Sequence, residues 1–123
     1  MAAATRYQLT HCAWDWHTPF AAHLDAETAL ATADYARQLR AQADPVTWQS
    51  EVIGQQQTVR CTVLDARLAQ GAPDEPTTAY VRLVVLMHVS SVRGSFDTGE
   101  LSATCLMRQM DGRWLVDGPF EGG

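Results

Sequence analysis

Leu101-Ser102-Ala103-Thr104-Cys105-Leu106-Met107-Arg108-Gln109-Met110-Asp111-Gly112-Arg113-Trp114-Leu115-Val116-Asp117 decides the fold. Leu101, Ala103, Cys105 and Met107 share one parity, the period of a strand with one buried face. Asp111-Gly112 then interrupts the alternation. That dipeptide predicts a two-residue hairpin turn, because both central positions of a type I′ turn need positive φ. Trp114 and Val116 carry the apolar parity back, and Gly118-Pro119 ends the run. Upstream, Thr77 to Val92 reads as a long strand. Ala79, Val81, Leu83, Val85, Met87 and Val89 form one face, while Tyr80, Arg82, Val84, Leu86 and His88 form the other. One core face and one semi-polar face belong to an antiparallel sheet. Gln57 to Leu68 alternates on Val59, Cys61 and Val63, then switches to Leu64, Ala66 and Leu68; such a switch predicts a bulge. Loops at Gly71–Pro76 and Arg93–Gly99 separate the runs. Residues 57–118 therefore predict four strands in a meander.

The first half, 1–54, reads as helix. Ala2 to Trp14 holds no Gly or Pro. Thr18-Pro19 is a start signal for a short helix to about Asp25. Leu30, Ala33, Ala36 and Leu39 recur at helical spacing from Thr28 to Gln42, as one bent helix with the preceding segment or as two. Asp44-Pro45 stops that run. Pro45 opens another turn or two with Trp48 and Val52 on one face and Gly54 at its end. Helices segregated from an antiparallel sheet define an α+β fold, here N-terminal helices packed on a curved four-stranded sheet.

Composition sets the boundaries. The chain has 123 residues, which predicts a single domain spanning 1–123. Apolar residues make up 46% and charged residues 19%, which excludes a disordered chain. No apolar run approaches the roughly 20 residues that cross a bilayer, and no charged-then-apolar leader opens the chain. The net charge is −5 and the cations are scattered along the sequence, which argues against nucleic acid as a partner. All nine cations are arginine, and neither lysine nor asparagine occurs; a high-GC bacterial genome is the simplest source of that bias. Cys12, Cys61 and Cys105 have no metal-ligand spacing. With a strand between Cys61 and Cys105, their backbones would lie about two spacings of 4.8 Å apart, beyond the roughly 7 Å limit of a bridge. Free thiols are the expectation and a Cys61–Cys105 bridge the alternative.

The chain carries Tyr7 and Trp14 on its first helix, then Trp16-His17-Thr18-Pro19. The helical stretch stops at Ala43-Asp44-Pro45, Trp48 follows, and the chain closes on Asp111-Gly112-Arg113-Trp114-Leu115-Val116-Asp117-Gly118. In these features it resembles the NTF2-like extracytoplasmic domains of high-GC Gram-positive membrane proteins, among them the TcpC family of conjugation and type IV secretion proteins. Mce-associated proteins share a similar ending. The resemblance implies an NTF2-like cone and a non-enzymatic scaffold role. It also implies a membrane anchor ahead of the domain and, as partners, other subunits of a membrane-associated transport apparatus outside the cytoplasmic membrane. A cytoplasmic location is the expectation if the natural protein starts at Met1. The alternative is a small-ligand-binding or isomerase/dehydratase-type cone, which works with an acid–base pair inside.

Asp15, His17, Tyr35, Tyr80, His88 and Asp117 are the candidates for such a pair. Tyr35, His88, Trp14 and Trp48 are the expected pocket residues. The apolar inward parity leaves no carboxylate on the strands and predicts an interior sealed by aromatics without a catalytic pair. His11, His17 and His23 recur every six residues, which on one helix points them three ways; no metal and no cofactor are expected. Arg60, Arg82 and Arg108 share the non-core parity with Tyr80 nearby, a candidate interface, since Arg and Tyr are enriched in hot spots. Phe96 and Phe120 are exposed aromatics by position. A weak homo-oligomer is compatible with so polar a face.

Overall fold

The computed structural model describes residues 1–69 and 76–119. Residues 71–75 of the predicted Gly71–Pro76 loop, and Phe120, lie outside the described residues. Helix α1 (Ala2–Cys12) opens the chain, followed by β1 (Trp14–Asp15), α2 (Phe20–Thr28), α3 (Ala33–Ala41), α4 (Pro45–Thr47) and a π-helical turn at Trp48–Ile53. Strands β2 (Thr58–Leu68), β3 (Thr78–Ser91), β4 (Gly94–Asp97), β5 (Leu101–Met110) and β6 (Arg113–Pro119) complete it. The order across the sheet is β1-β2-β3-β5-β6, with β4 on the far half of β3, and every ladder is antiparallel.

The four expected strands are present, and two short ones join them. Helix α1 stops at Cys12, and an extended Ala13 lets Trp14 pair with Val59. Gly94, at φ +118, reverses the chain so that Gly94–Asp97 pairs back onto β3, where the sequence reads as loop. The Asp111-Gly112 turn forms with both residues at positive φ, 54 and 78. The bulge falls at Leu64, between the pairs Val63↔Val85 and Asp65↔Val84. Leu64 is thus the extra residue, and Ala66 returns to the core face opposite Leu83.

The inward face is the one the alternation predicts. Val81, Leu83, Val85, Cys105, Met107 and Val116 are buried against Ala4 and Tyr7 of α1, with Leu30, Tyr35, Leu39 and Val63 at the margins. Leu101 and Trp114 are on the same parity yet exposed, because they lie at strand ends that the helices do not cover.

Residues 20–42 form two helices. Ala31 bridges Val116, and the Thr32 N–H donates to the Val116 carbonyl at 2.8 Å. That contact spends the backbone groups a continuous helix would need. Thr32 then caps α3, its hydroxyl accepting from the Tyr35 N–H. Asp44 caps α4 in the same way. Trp48 and Val52 are buried from the π-turn, as the spacing predicts. Gly54 closes that turn; a Cβ there would lie 2.4 Å from the Ser50 carbonyl oxygen, closer than real contacts come.

The cysteines depart from expectation. Cys12, at the end of α1, lies over β2 with its Cα 6.2 Å from that of Cys61, and the two form a disulfide. β3 separates Cys61 from Cys105 as expected, and Cys105 is buried as a free thiol, its pKa pushed up to about 11 by burial. What the sequence did not reveal was where α1 crosses the sheet, and that crossing supplies the partner.

Candidate functional site

The strand interior is apolar, but α2 brings a carboxylate to its edge. Glu27 is buried on α2, facing α1. The Tyr7 hydroxyl donates to Glu27 Oε1 at 3.1 Å, and His11 Nδ1 meets the same oxygen at 2.5 Å. His23 Nε2, one turn back along α2, lies 3.9 Å from Oε2. The Tyr7 and His11 rings stack at 5.6 Å, and the Tyr35 ring tilts against Tyr7 at 6.3 Å.

Charge follows from these contacts. Burial pushes the Glu27 carboxyl up, but His11, Tyr7 and His23 outweigh it and hold the group below its ordinary value. Burial, the adjacent Tyr35 hydroxyl and the Glu27 charge raise the Tyr7 phenol, so it stays a donor. Burial lowers the pKa of His23 against the pull of Glu27. A carboxylate only accepts, so His11 Nδ1 carries the hydrogen between them. In the neutral ring, Nε2 is then left as the basic nitrogen. This pairing can orient a base, and it also pins α1 to α2.

Two of the three periodic histidines therefore meet at Glu27, because they sit on different helices that fold face to face. His17 stays apart, its ring on Asp15 at 2.6 Å and its N–H on the same oxygen; these two contacts hold Asp15 below its usual value. Among the described residues no group of three metal-ligating side chains is arranged around one point. The available sequence signal was two i, i+4 pairs, Tyr7/His11 and His23/Glu27, each on one helix face.

The expected pocket residues divide into separate places. Trp48 is buried with Phe20 at 5.3 Å, His23 at 5.1 Å and Trp14 at 6.5 Å between ring centres. The Trp14 indole donates to Gln57 Oε1 at 2.7 Å, whereas the buried Trp48 Nε1 has no hydrogen-bond partner among the described residues. Tyr35 joins this cluster through Tyr7, Glu27 and His23. His88 does not, since it sits on the opposite sheet face with Nδ1 2.5 Å from Asp97 Oδ1, exposed.

The expected interface residues do share one face. Arg60 pairs in register with His88, Arg82 with Arg67 and Thr104, Tyr80 with Leu106, and Arg108 with Thr78. Arg60 and Arg82 are exposed. Arg108 donates from Nε to Asp117 Oδ2 at 3.0 Å, while the Thr32 hydroxyl donates to Oδ1 at 2.6 Å. Asp117 therefore ties the sheet edge to the start of α3. Phe96 is 60% exposed on β4.

No family model matches the chain, and no curated protein does. Solved structures do. The periplasmic domain of DotI is 14% identical, with TM-score 0.71 over 97% of this chain and 92% of that one. TraE, solved in complex with 2-(2-furyl)isonicotinic acid, is 13% identical, with TM-score 0.62 over 96% and 90%. A protein from Catenulispora acidiphila, solved in complex with S-DNPA, is 12% identical, with TM-score 0.60 over 97% and 89%. At such identities the likeness is one of fold. The chain is an α+β cone of helices on a curled antiparallel sheet, the fold that the DotI periplasmic domain and TraE also adopt.

Proposed function

We propose that this domain is a non-enzymatic assembly subunit of a membrane-associated conjugation or type IV secretion-like apparatus, on the extracytoplasmic side, as in the TcpC-like proteins of high-GC Gram-positive bacteria. The observation that carries the reading is near-complete coverage, in both directions, of the DotI periplasmic domain and TraE, both type IV secretion components. The Cys12–Cys61 disulfide supports it, since such bonds persist in oxidising compartments outside the cytoplasm. No helix among the described residues is long and apolar enough to cross a membrane. One fold hosts many functions, and the chemistry of the site bears on which. Tyr7, His11 and His23 surround Glu27 from within the chain, which suits a pin between helices.

One observation favours a second reading. The Glu27–His11 pair has the geometry of an oriented base, as a ligand-transforming cone requires. In the native host, co-purification of the full protein with a coupling ATPase or channel subunits, and loss of DNA or protein transfer on deletion, are expected. His11→Gln, which keeps a donor toward Glu27 and removes the base, should leave transfer unchanged. If deletion leaves transfer intact the apparatus reading falls; if His11→Gln abolishes transfer in a folded protein, the scaffold reading gives way to chemistry.

A further inference from the structure

We propose that the outer face of the sheet docks an acidic segment of a different chain, with Arg82 and Arg60 as its carboxylate anchors. This rests on the reading that the domain works through contacts with other subunits, and it adds the chemistry of the partner. Five of the nine arginines, Arg60, Arg67, Arg82, Arg108 and Arg113, fall on this face by register, although the whole chain carries −5. Arg67 and Arg82 stand directly opposite each other on β2 and β3, where like charges oppose pairing. Asp65 takes Arg67, leaving Arg82 without an ion-pair partner among the described residues. Asp97 likewise takes His88, leaving the neighbouring Arg60 without one. An incoming carboxylate relieves the first juxtaposition and supplies both missing partners.

The spacing describes the occupant. Arg60 lies beside His88, and His88 and Arg82 are six residues apart along β3, roughly 20 Å at strand rise. Half-buried Val84 and Leu86 lie between them on the same face. The segment that fits carries carboxylates about that far apart, flanking apolar side chains. A second copy fits poorly. Its helical half has Asp25 on Arg40, Asp34 on Arg37, Asp15 on His17, Asp44 in a cap and Glu27 buried; that leaves exposed Glu51 as a single carboxylate for two anchors about 20 Å apart. A phosphate polymer fits poorly too, because Asp65 and Asp97 are interleaved with the arginines and evenly spaced phosphates would meet them.

The test titrates the full chain, labelled for amide NMR at low ionic strength, with a short synthetic peptide. The peptide has a pair of glutamates at either end of a leucine–threonine core, and its glutamine twin is the control. Expected are shifts confined to the outer residues of β2 and β3, absent with the twin. Arg82→Glu should weaken binding roughly three- to tenfold, and Arg82→Lys should retain most of it. An Arg60→Glu protein with unchanged amide dispersion serves as the second variant and should weaken it similarly. Equal binding of both peptides, shifts on the helical half, or tighter binding of an oligothymidylate or of phosphatidylglycerol vesicles to the same face would each overturn the proposal. A chain that meets its apparatus through the helices fails here yet still co-purifies in the host. A chain outside any apparatus fails co-purification whatever the peptide does.

Discussion

Glu27 is the residue on which the helical half turns. A buried carboxylate is costly unless its oxygens are engaged, and here Tyr7 and His11 share one oxygen while His23 approaches the other. Glu27→Gln removes the charge that His11 and His23 face and should cost about 1–3 kcal/mol, read as a lower midpoint in urea unfolding. The same network makes stability depend on pH. The pKa of His23 is depressed by burial from its ordinary 6.5, so the unfolded chain takes up that proton first. Its contribution is complete above about pH 6.5 and is lost as pH falls toward the folded value. That of Glu27 is also below its ordinary 4.5, so a second loss begins near that pH and continues below it. Unfolding midpoints measured from pH 8 to 3 should fall in that order. A His23→Phe variant should abolish the upper phase, and a midpoint that rises on acidification from pH 7 to 5 would contradict this account.

Individual elements differ in how far the sequence reveals them. β3 was legible almost to its ends, Thr77–Val92 against Thr78–Ser91, because alternation is a local signal and Val81, Leu83 and Val85 all obey it. The hairpin at Asp111-Gly112 and the bulge at Leu64 were legible for the same reason. The break between α2 and α3 was not, since Ala31 and Thr32 are claimed by Val116, 85 residues away for the Ala31 bridge. The Glu27 site was half legible. Each i, i+4 pair is visible on its helix, but Tyr7 and Glu27 are 20 residues apart and meet only through tertiary packing. The link between α1 and β2 is of that kind too. The Cys12–Cys61 bond spans 49 residues of sequence, a loop whose closure restricts the unfolded chain by about 3–4 kcal/mol. The double variant Cys12→Ala/Cys61→Ala should therefore lose about that much stability in denaturant titrations, and reduction of the wild-type protein should reproduce the loss. A double variant as stable as the parent would mean the bond adds nothing to the packing of α1.

At the scale of the molecule, the inward apolar residues in the middle of the sheet are covered by its own helices. Leu83, Val81 and Val116 are almost fully buried beneath Ala4 and Tyr7. What remains outward is arginine-bearing, with apolar side chains only half-buried among the charges. An obligate dimer generally buries 2,000 Å² or more of largely apolar surface, and charged residues are depleted from the centre of such interfaces. Two copies of this face brought together would oppose Arg60, Arg82 and Arg108 to their equivalents, a like-charge contact that disfavours pairing. Contacts of this polarity suit an assembly in which anchoring at a membrane raises the effective concentration, so that each contact can be individually weak. Sedimentation equilibrium of the chain at micromolar concentration should accordingly give mainly the monomer mass of 13.5 kDa. A dimer or trimer that persisted in high salt would mean the sheet face, or the exposed Phe96 and Trp114, forms a stable apolar interface instead. Arg82→Glu separates the two surfaces, because it leaves an interface through Phe96 and Trp114 intact and disturbs one through the outer face.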